Sequence, residues 1–462
     1  MIRQHGSGVL VAALSSAFGV ALLQGTGLLT AALRADGTTG TSDTVAALLR
    51  ITSAVFLGLA LYAGAVVTTN TFAVIVAGRV KAIALRRLLG STARAERGAV
   101  AREGLVVGAV GAAIGVLVGS VGVALIAAGA RVADVLPATP YSYANPEVLL
   151  PAAAVVLTTW LAAVVGSRRV LAVTPMQALG GAEEVSEEES RASALRSAAA
   201  IVLGAIGALL LVGGVALGVV SFAGLLVAFV GGIVSFTGIV LGAHLVIPRA
   251  LRLVGRLMGG SATTRLAAEN AVRYPQRSTR STVGLLIAVT LITTFGVAIR
   301  TFGDMIEAAA GNDPVYYANT EAMLTAVTTV FSVLIGFSAV IAGVGLVNSL
   351  SLGVLQRTRE LGLLRALGFS ARQLRRMILA ESGQLVLTAV LLGLVLGTVY
   401  GWAGAHSLLG AAHGAPGLLF IGFPWALAGI VVGGGVLLTL IASVAPSRRA
   451  TRVAPVEALG AL

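Results

Sequence analysis

Few residues of this chain have the types and spacing to do covalent or metal chemistry. A phosphate-cradling loop needs a lysine followed by serine or threonine. Lys81, the sole lysine, is followed by Ala82, so ATP hydrolysis within the chain is excluded and no catalytic residue is assigned. His406 and His413 are seven apart and would share a face if helical, but no third metal ligand stands near, and both read as loop histidines. His244 reads as an interfacial side chain, and the absence of cysteine removes disulfides and thiolate metal sites. What remains is cationic. Arg79, Lys81 and Arg87 precede Gly90, and Arg357, Arg359 and Arg365, with Glu360, precede Gly368. Leu85 and Leu89 are four apart, as are Leu363 and Leu367, so each group forms a short amphipathic helix suited to receiving a push from a partner protein.

The two groups are copies. Residues 70–103 align without gaps on residues 348–381 with 11 of 34 positions identical, pairing Arg79 with Arg357, Arg87 with Arg365, Gly90 with Gly368 and Glu103 with Glu381. Gly368 is placed to cap a helix in the left-handed conformation before Ser370 starts the next one, and Gly90 repeats the arrangement. Topology alone would require the charge but not this spacing. A second echo, SRRVLAVTPMQALG at 167–180 against SRRATRVAPVEALG at 447–460, marks the end of each copy, so the chain reads as a duplicated unit.

Those copies must be positioned by a membrane bundle. A hydrophobic fraction of 57%, with 11% charged residues and a mean hydropathy of +0.96, exceeds what a soluble core of this length needs. The runs 4–33, 51–78, 104–130, 148–167, 197–248, 281–299, 322–356 and 382–447 carry no Asp, Glu, Lys or Arg. At 1.5 Å per residue a span takes about 20 residues. The fifth and eighth runs therefore hold two spans each, broken near 218–224 and 405–417, and the total is ten transmembrane helices. With both termini in the cytoplasm, 28 of the 32 cations lie inside. The net charge of +13 then reports topology and attraction to anionic lipid, not nucleic-acid binding.

The expected fold is an all-α integral membrane protein of two parallel four-helix units joined by two linker spans. The first unit covers 1–180, with spans near 8–33, 48–75, 102–129 and 148–167. The second covers 278–462, with spans near 281–301, 322–350, 380–403 and 424–446. Between them, 181–277 holds an acidic linker (Glu183, Glu184, Glu187, Glu188 and Glu189) and spans near 197–219 and 224–247. It ends in a basic interfacial helix that Pro275 interrupts. Glu103 and Glu381 read as helix-start charges favoured by the dipole. Outer loops fall near 35–46, 131–147, 302–321 and 404–422, too short for a domain that folds alone.

The stretch from Gln356 to Gly368, QRTRELGLLRALG, resembles the hallmark segment of the FtsX-like, or MacB-like, permeases of ABC transporters. The two linker spans resemble the ten-span subgroup that includes BceB permeases, without that subgroup's large external domain. The resemblance implies a coupling helix in each unit, around Arg79 to Gly90 and Arg357 to Gly368, docking on a separate ATPase. It implies two ATPase chains per permease, with ATP and Mg bound to them and no cofactor here. A bacterial cell membrane and an amphipathic substrate, such as a lipid or an antimicrobial peptide, are then expected, with mechanotransmission as the mechanism. The alternatives are an ATP-driven regulator of an external partner such as a cell-wall hydrolase, and an ATP-independent secondary transporter. The first copy departs from the pattern, with Ala82 opposite Glu360 and Ala84 opposite Gly362, so its contact is expected to be weaker.

Overall fold

Long apolar runs with few breakers become long helices. The computed structural model describes residues 2–35, 54–55, 58, 61–62, 65–66, 69, 80–132, 146–167, 187–257, 269, 275–312, 368–411 and 417–452. In chain order its helices are α1 (Ile2–Ala35), α2 (Val80–Leu88), α3 (Ala93–Val132), α4 (Leu149–Gly166), α5 (Glu187–Gly218), α6 (Gly224–Leu241), α7 (Ala243–Leu257), α8 (Pro275–Asn312), α9 (Ala371–Leu409) and α10 (Trp425–Arg452). No strand occurs among the described residues. Seven of these helices are long and apolar enough to cross a membrane, and α10 adds a shorter apolar stretch, Trp425–Leu437. The chain is thus a multi-pass membrane protein. Of the expected spans, 48–75 is described only at scattered helical residues, and 322–350 lies outside the described residues.

The two units pack alike. In the first, α1 lies along α3, α3 along α4, and α1 touches α4; in the second, α8 lies along α9, α9 along α10, and α8 touches α10. The linker helices α5 and α6 form a tight hairpin in which Gly207, Gly214 and Gly231 leave no room for a Cβ against the facing backbone. Such close approach is how helices associate in lipid, where burying apolar surface gives no advantage between helices. The hairpin rests on α9, and α7 rests on both α8 and α9, while Gly58 and Tyr62 of the first unit meet α6 at Phe229, Phe236 and Thr237.

Several boundaries differ from expectation. The expected sixth span stops at Gly242, and α7 follows as a separate amphipathic helix with Ile247, Leu251 and Val254 buried and Arg252 and Arg256 exposed. Pro275 opens α8, a position where its missing N–H costs nothing. The interfacial helix expected before it lies outside the described residues except at Glu269, which is helical. α8 runs on to Asn312, through half of the loop expected at 302–321. Glu187, Glu188 and Glu189 belong to α5 rather than to a linker.

His406 is also corrected. It lies inside α9, only 1% exposed, with Nδ1 donating to the Trp402 carbonyl (3.0 Å) and Nε2 accepting the Leu419 N–H (3.0 Å). Trp402 Nε1 donates to the Leu419 carbonyl (2.9 Å), so both backbone polar groups of Leu419, in the strap before α10, are held. Both ring nitrogens are engaged, which leaves none for a metal. His413 lies outside the described residues. His244 is held in the same way, with Nε2 3.0 Å from Ser197 Oγ and Nδ1 2.9 Å from the Leu241 carbonyl. It ties the start of α7 to α5.

Candidate functional site

α2 is a nine-residue helix with Arg86 and Arg87 in its last turn. Ile83 and Ala84 face inward, 2% and 0% exposed, while Leu85, Leu88 and Leu89 face out, Leu89 at 82%. The expected shared face of Leu85 and Leu89 is therefore the open one, and it is apolar. Large apolar side chains presented together on a short helix between spans mark a contact surface.

Gly90 turns the chain out of α2 at φ +99°. Its N–H donates to the Arg87 carbonyl (3.1 Å) and the Ser91 N–H to the Arg86 carbonyl (3.0 Å), the paired bonds of a Schellman cap. Thr92 then starts α3, its Oγ1 accepting the Ala95 N–H at 3.2 Å. In the second unit Gly368 has φ +97°, and Ser370 starts α9 through a capping box: the Gln373 N–H donates to Ser370 Oγ (3.2 Å) and the Ser370 N–H to Gln373 Oε1 (2.9 Å). The left-handed glycine followed by a hydroxyl cap is thus present in both copies. Of the other candidate residues, Arg79, Arg357, Arg359, Glu360, Leu363, Arg365 and Leu367 lie outside the described residues, and Lys81 is placed only as part of α2.

One residue that holds the first copy was not among the candidates. Glu96, in the first turn of α3, is 8% exposed. Its carboxylate meets the Arg86 guanidinium at 2.9 Å and accepts from Ser91 Oγ at 2.9 Å, so it clamps α2, the glycine turn and α3 together. The aligned residue in the second copy is Leu374, 1% exposed. A comparison that looked for shared residues passed over Glu96. The signal available was an acid one turn after a threonine cap. Glu103 and Glu381, by contrast, do not start their helices: α3 and α9 begin ten residues earlier, so the end-of-helix dipole is not what holds them.

Beyond the segments, both third helices meet the first helices through glycines. A Cβ at Gly111, Gly115 or Gly119 of α3 would fall against Ala12, Ser16 and Ala17 of α1; one at Gly393, Gly397 or Gly401 of α9 would fall against Val289, Thr293 and Thr294 of α8. These contacts match one for one, since Ala12, Ser16 and Ala17 lie 277 residues before Val289, Thr293 and Thr294. The glycines are offset by 282, however, whereas Gly90 and Gly368 are offset by 278. α9 therefore has four more residues, about 6 Å of helix, between its glycine turn and the shared seam.

Comparisons with known proteins agree with this duplication. The family described as FtsX-like permease C-terminal matches twice, at residues 54–175 and 332–455, together more than half of the chain. Each match includes the glycine turn and reaches across α3 and α4 in the first unit and α9 and α10 in the second. The chain is 35% identical over 136 residues to the uncharacterized ABC transporter permease YknZ of Bacillus subtilis, covering 29% of this chain and 31% of YknZ. It is 30% identical over 152 residues to the ABC transporter permease YtrF of Bacillus subtilis, covering 31% of this chain and 34% of YtrF. It is 30% identical over 128 residues to the macrolide export ATP-binding/permease protein MacB of Nitrobacter winogradskyi, covering 28% of this chain and 18% of that protein. The aligned stretches thus span about a third or less of each of these relatives.

Proposed function

We propose, because the chain belongs to the FtsX-like permease family, that it is the membrane subunit of an ABC transporter and takes its motion from a separate ATPase. The observation that carries the reading is the open leucine face of α2 leading into a left-handed glycine turn, a turn that recurs before α9. Both turns feed directly into long helices that run the depth of the bundle. A push on such a segment reaches the seam without crossing a flexible joint.

In this reading the segments face the cytoplasm of a bacterial cell and both termini lie inside. Two ATPase chains bind ATP and Mg and dock on the segments around Arg79 to Gly90 and Arg357 to Gly368, one chain of this protein supplying both contacts. Closure of the ATPases displaces the segments and, through them, the third helices against the first. The work would be done on an amphipathic substrate taken from the membrane. Arg87→Glu combined with Arg365→Glu places acids where the partner meets cations. At least a tenfold loss of ATPase co-purification is expected from this double variant. Retention of the ATPase with hydrolysis still coupled to the chain would overturn the reading.

A further inference from the structure

A cavity of about 140 Å³ lies where the first unit, the linker hairpin and the second unit come together. Its wall includes Tyr62 from the second span of the first unit, Phe229 and Phe236 from α6, Leu291 and Phe295 from α8, and Tyr400 from α9. No charged side chain lines it among the described residues. We propose that this cavity holds one hydrocarbon chain of a membrane amphiphile, seated between the linker hairpin and the second unit. The proposal does not depend on ATP coupling.

The chemistry of the wall selects the occupant. Tyr62 and Tyr400 bring hydroxyls to the cavity, but both are engaged: Tyr62 Oη lies 2.8 Å from Thr237 Oγ1, and Tyr400 Oη 2.9 Å from Ser235 Oγ. Thr237 and Ser235 give their own protons to the Ile233 and Gly232 carbonyls (2.7 and 3.1 Å), so the tyrosines are the donors and their protons are taken. Thr290 Oγ1, also on the wall, donates to the Leu286 carbonyl at 2.7 Å. Phe236 is held edge-on by both tyrosines, with ring centroids 6.2 and 6.1 Å away. With no charged side chain on the described wall and the tyrosine and Thr290 protons already taken, the cavity suits the apolar chain of an amphiphile and disfavours its polar head. Apolar cavities of roughly 150 Å³ stay dry and accept molecules the size of benzene. This one is partly open and lies among membrane-spanning helices, where the abundant apolar molecule is a lipid chain. Loose packing does not explain it, because the same hairpin packs backbone to backbone at Gly207, Gly214 and Gly231.

Two glycines make the test selective. Gly232 and Gly404 both line the cavity, and a Cβ at either meets nothing within 4 Å, so a leucine at each would enter the space rather than clash. Gly213 has equal room but is not among the lining residues. The full chain is placed in liposomes containing either a phospholipid with a diazirine-bearing acyl chain or a diazirine-bearing single-chain fatty acid. After illumination the labelled peptides are mapped. Labelling of peptides from α6 and α8 is expected in the wild type. Gly232→Leu with Gly404→Leu should reduce it at least tenfold while leaving the lipid-facing Leu117 and Leu125 of α3 labelled as before, and Gly213→Leu should change nothing. Labelling by the phospholipid identifies the bilayer as the source, and labelling by the fatty acid alone identifies a free amphiphile. If the filled variant does not fold, competition replaces it: excess unlabelled oleate should suppress the wall peptides in the wild type but not Leu117. Absence of wall labelling with both probes, or labelling that neither the leucines nor oleate reduces, would overturn the proposal.

Discussion

In the first unit Gly90 stands 21 residues before the first seam glycine, Gly111; in the second, Gly368 stands 25 residues before Gly393. Both glycines have positive φ, both are followed by a hydroxyl cap, and both seams repeat the same contacts on the first helix. The extra four residues fall between Glu381 and Gly393, a stretch of 12 positions where the first unit has 8 between Glu103 and Gly111. Four residues advance a helix by about 6 Å and rotate it by about 40° beyond a full turn. The two turn glycines therefore stand at different distances and angles from otherwise equivalent seams. Duplication has conserved the turn and the seam and not the length of helix between them, a step of one helical turn between the units.

The largest expected effect comes from removing the step. Deleting one turn of α9, Leu385–Thr388, places Gly368 as far from its seam as Gly90 is from its own. A partner fitted to the step should then lose at least tenfold in chain-stimulated ATP hydrolysis, measured with the co-purified ATPase in liposomes. Inserting four alanines into α3 between Glu103 and Gly111 also removes the step and should do the same. Inserting four alanines in both helices keeps the step and should retain more coupling than either change that abolishes it. Equal coupling in all of these variants would show that the step has no consequence.

The next effect asks whether the seams are as equivalent as their contacts suggest. Gly115→Val and Gly397→Val each drive a branched side chain into the first helix, against Ser16 and Thr293 respectively. Overpacking of this kind costs about 1–3 kcal/mol. Thermal unfolding in detergent should show both variants destabilised by similar amounts. A large loss at one seam with none at the other would break the equivalence on which the one-turn offset rests.

Much of this architecture was legible in the sequence where a residue has only one physical use. A glycine between two helical stretches, with cations before it and serine or threonine two positions after, specifies a left-handed cap, and Gly90 and Gly368 both adopt it. The break between α5 and α6 was legible in the same way, because a charge-free run of 52 residues is too long for one span. The step was not. Inside an apolar helix an added turn leaves polarity, period and composition unchanged, and the glycines of the seam recur often enough to align at either offset. α7 was missed because its apolar start continues the charge-free run of α6, so only its later arginines distinguish it from a span end. The Glu96 clamp lies where the copies differ, a place that a search for shared residues does not reach.

The smallest effect tests that clamp, which belongs to the first unit alone. Arg86 is about half exposed, and a pair of this kind contributes about 0–1 kcal/mol because solvent screens it and an ordered side chain loses entropy. Arg86→Ala should therefore lower global stability by less than about 1 kcal/mol, and by less still at 1 M salt, where the screening length falls to about 3 Å. Its local consequence is more selective. Glu96 keeps its bond from Ser91 but loses its tie to α2, so backbone amide exchange should quicken at Leu89 and Gly90 and not at Gly368, whose following helix starts on a capping box and a buried Leu374. Faster exchange at Gly368 as well would mean that the two turns are coupled through the bundle, and that the first is not held by its own ion pair.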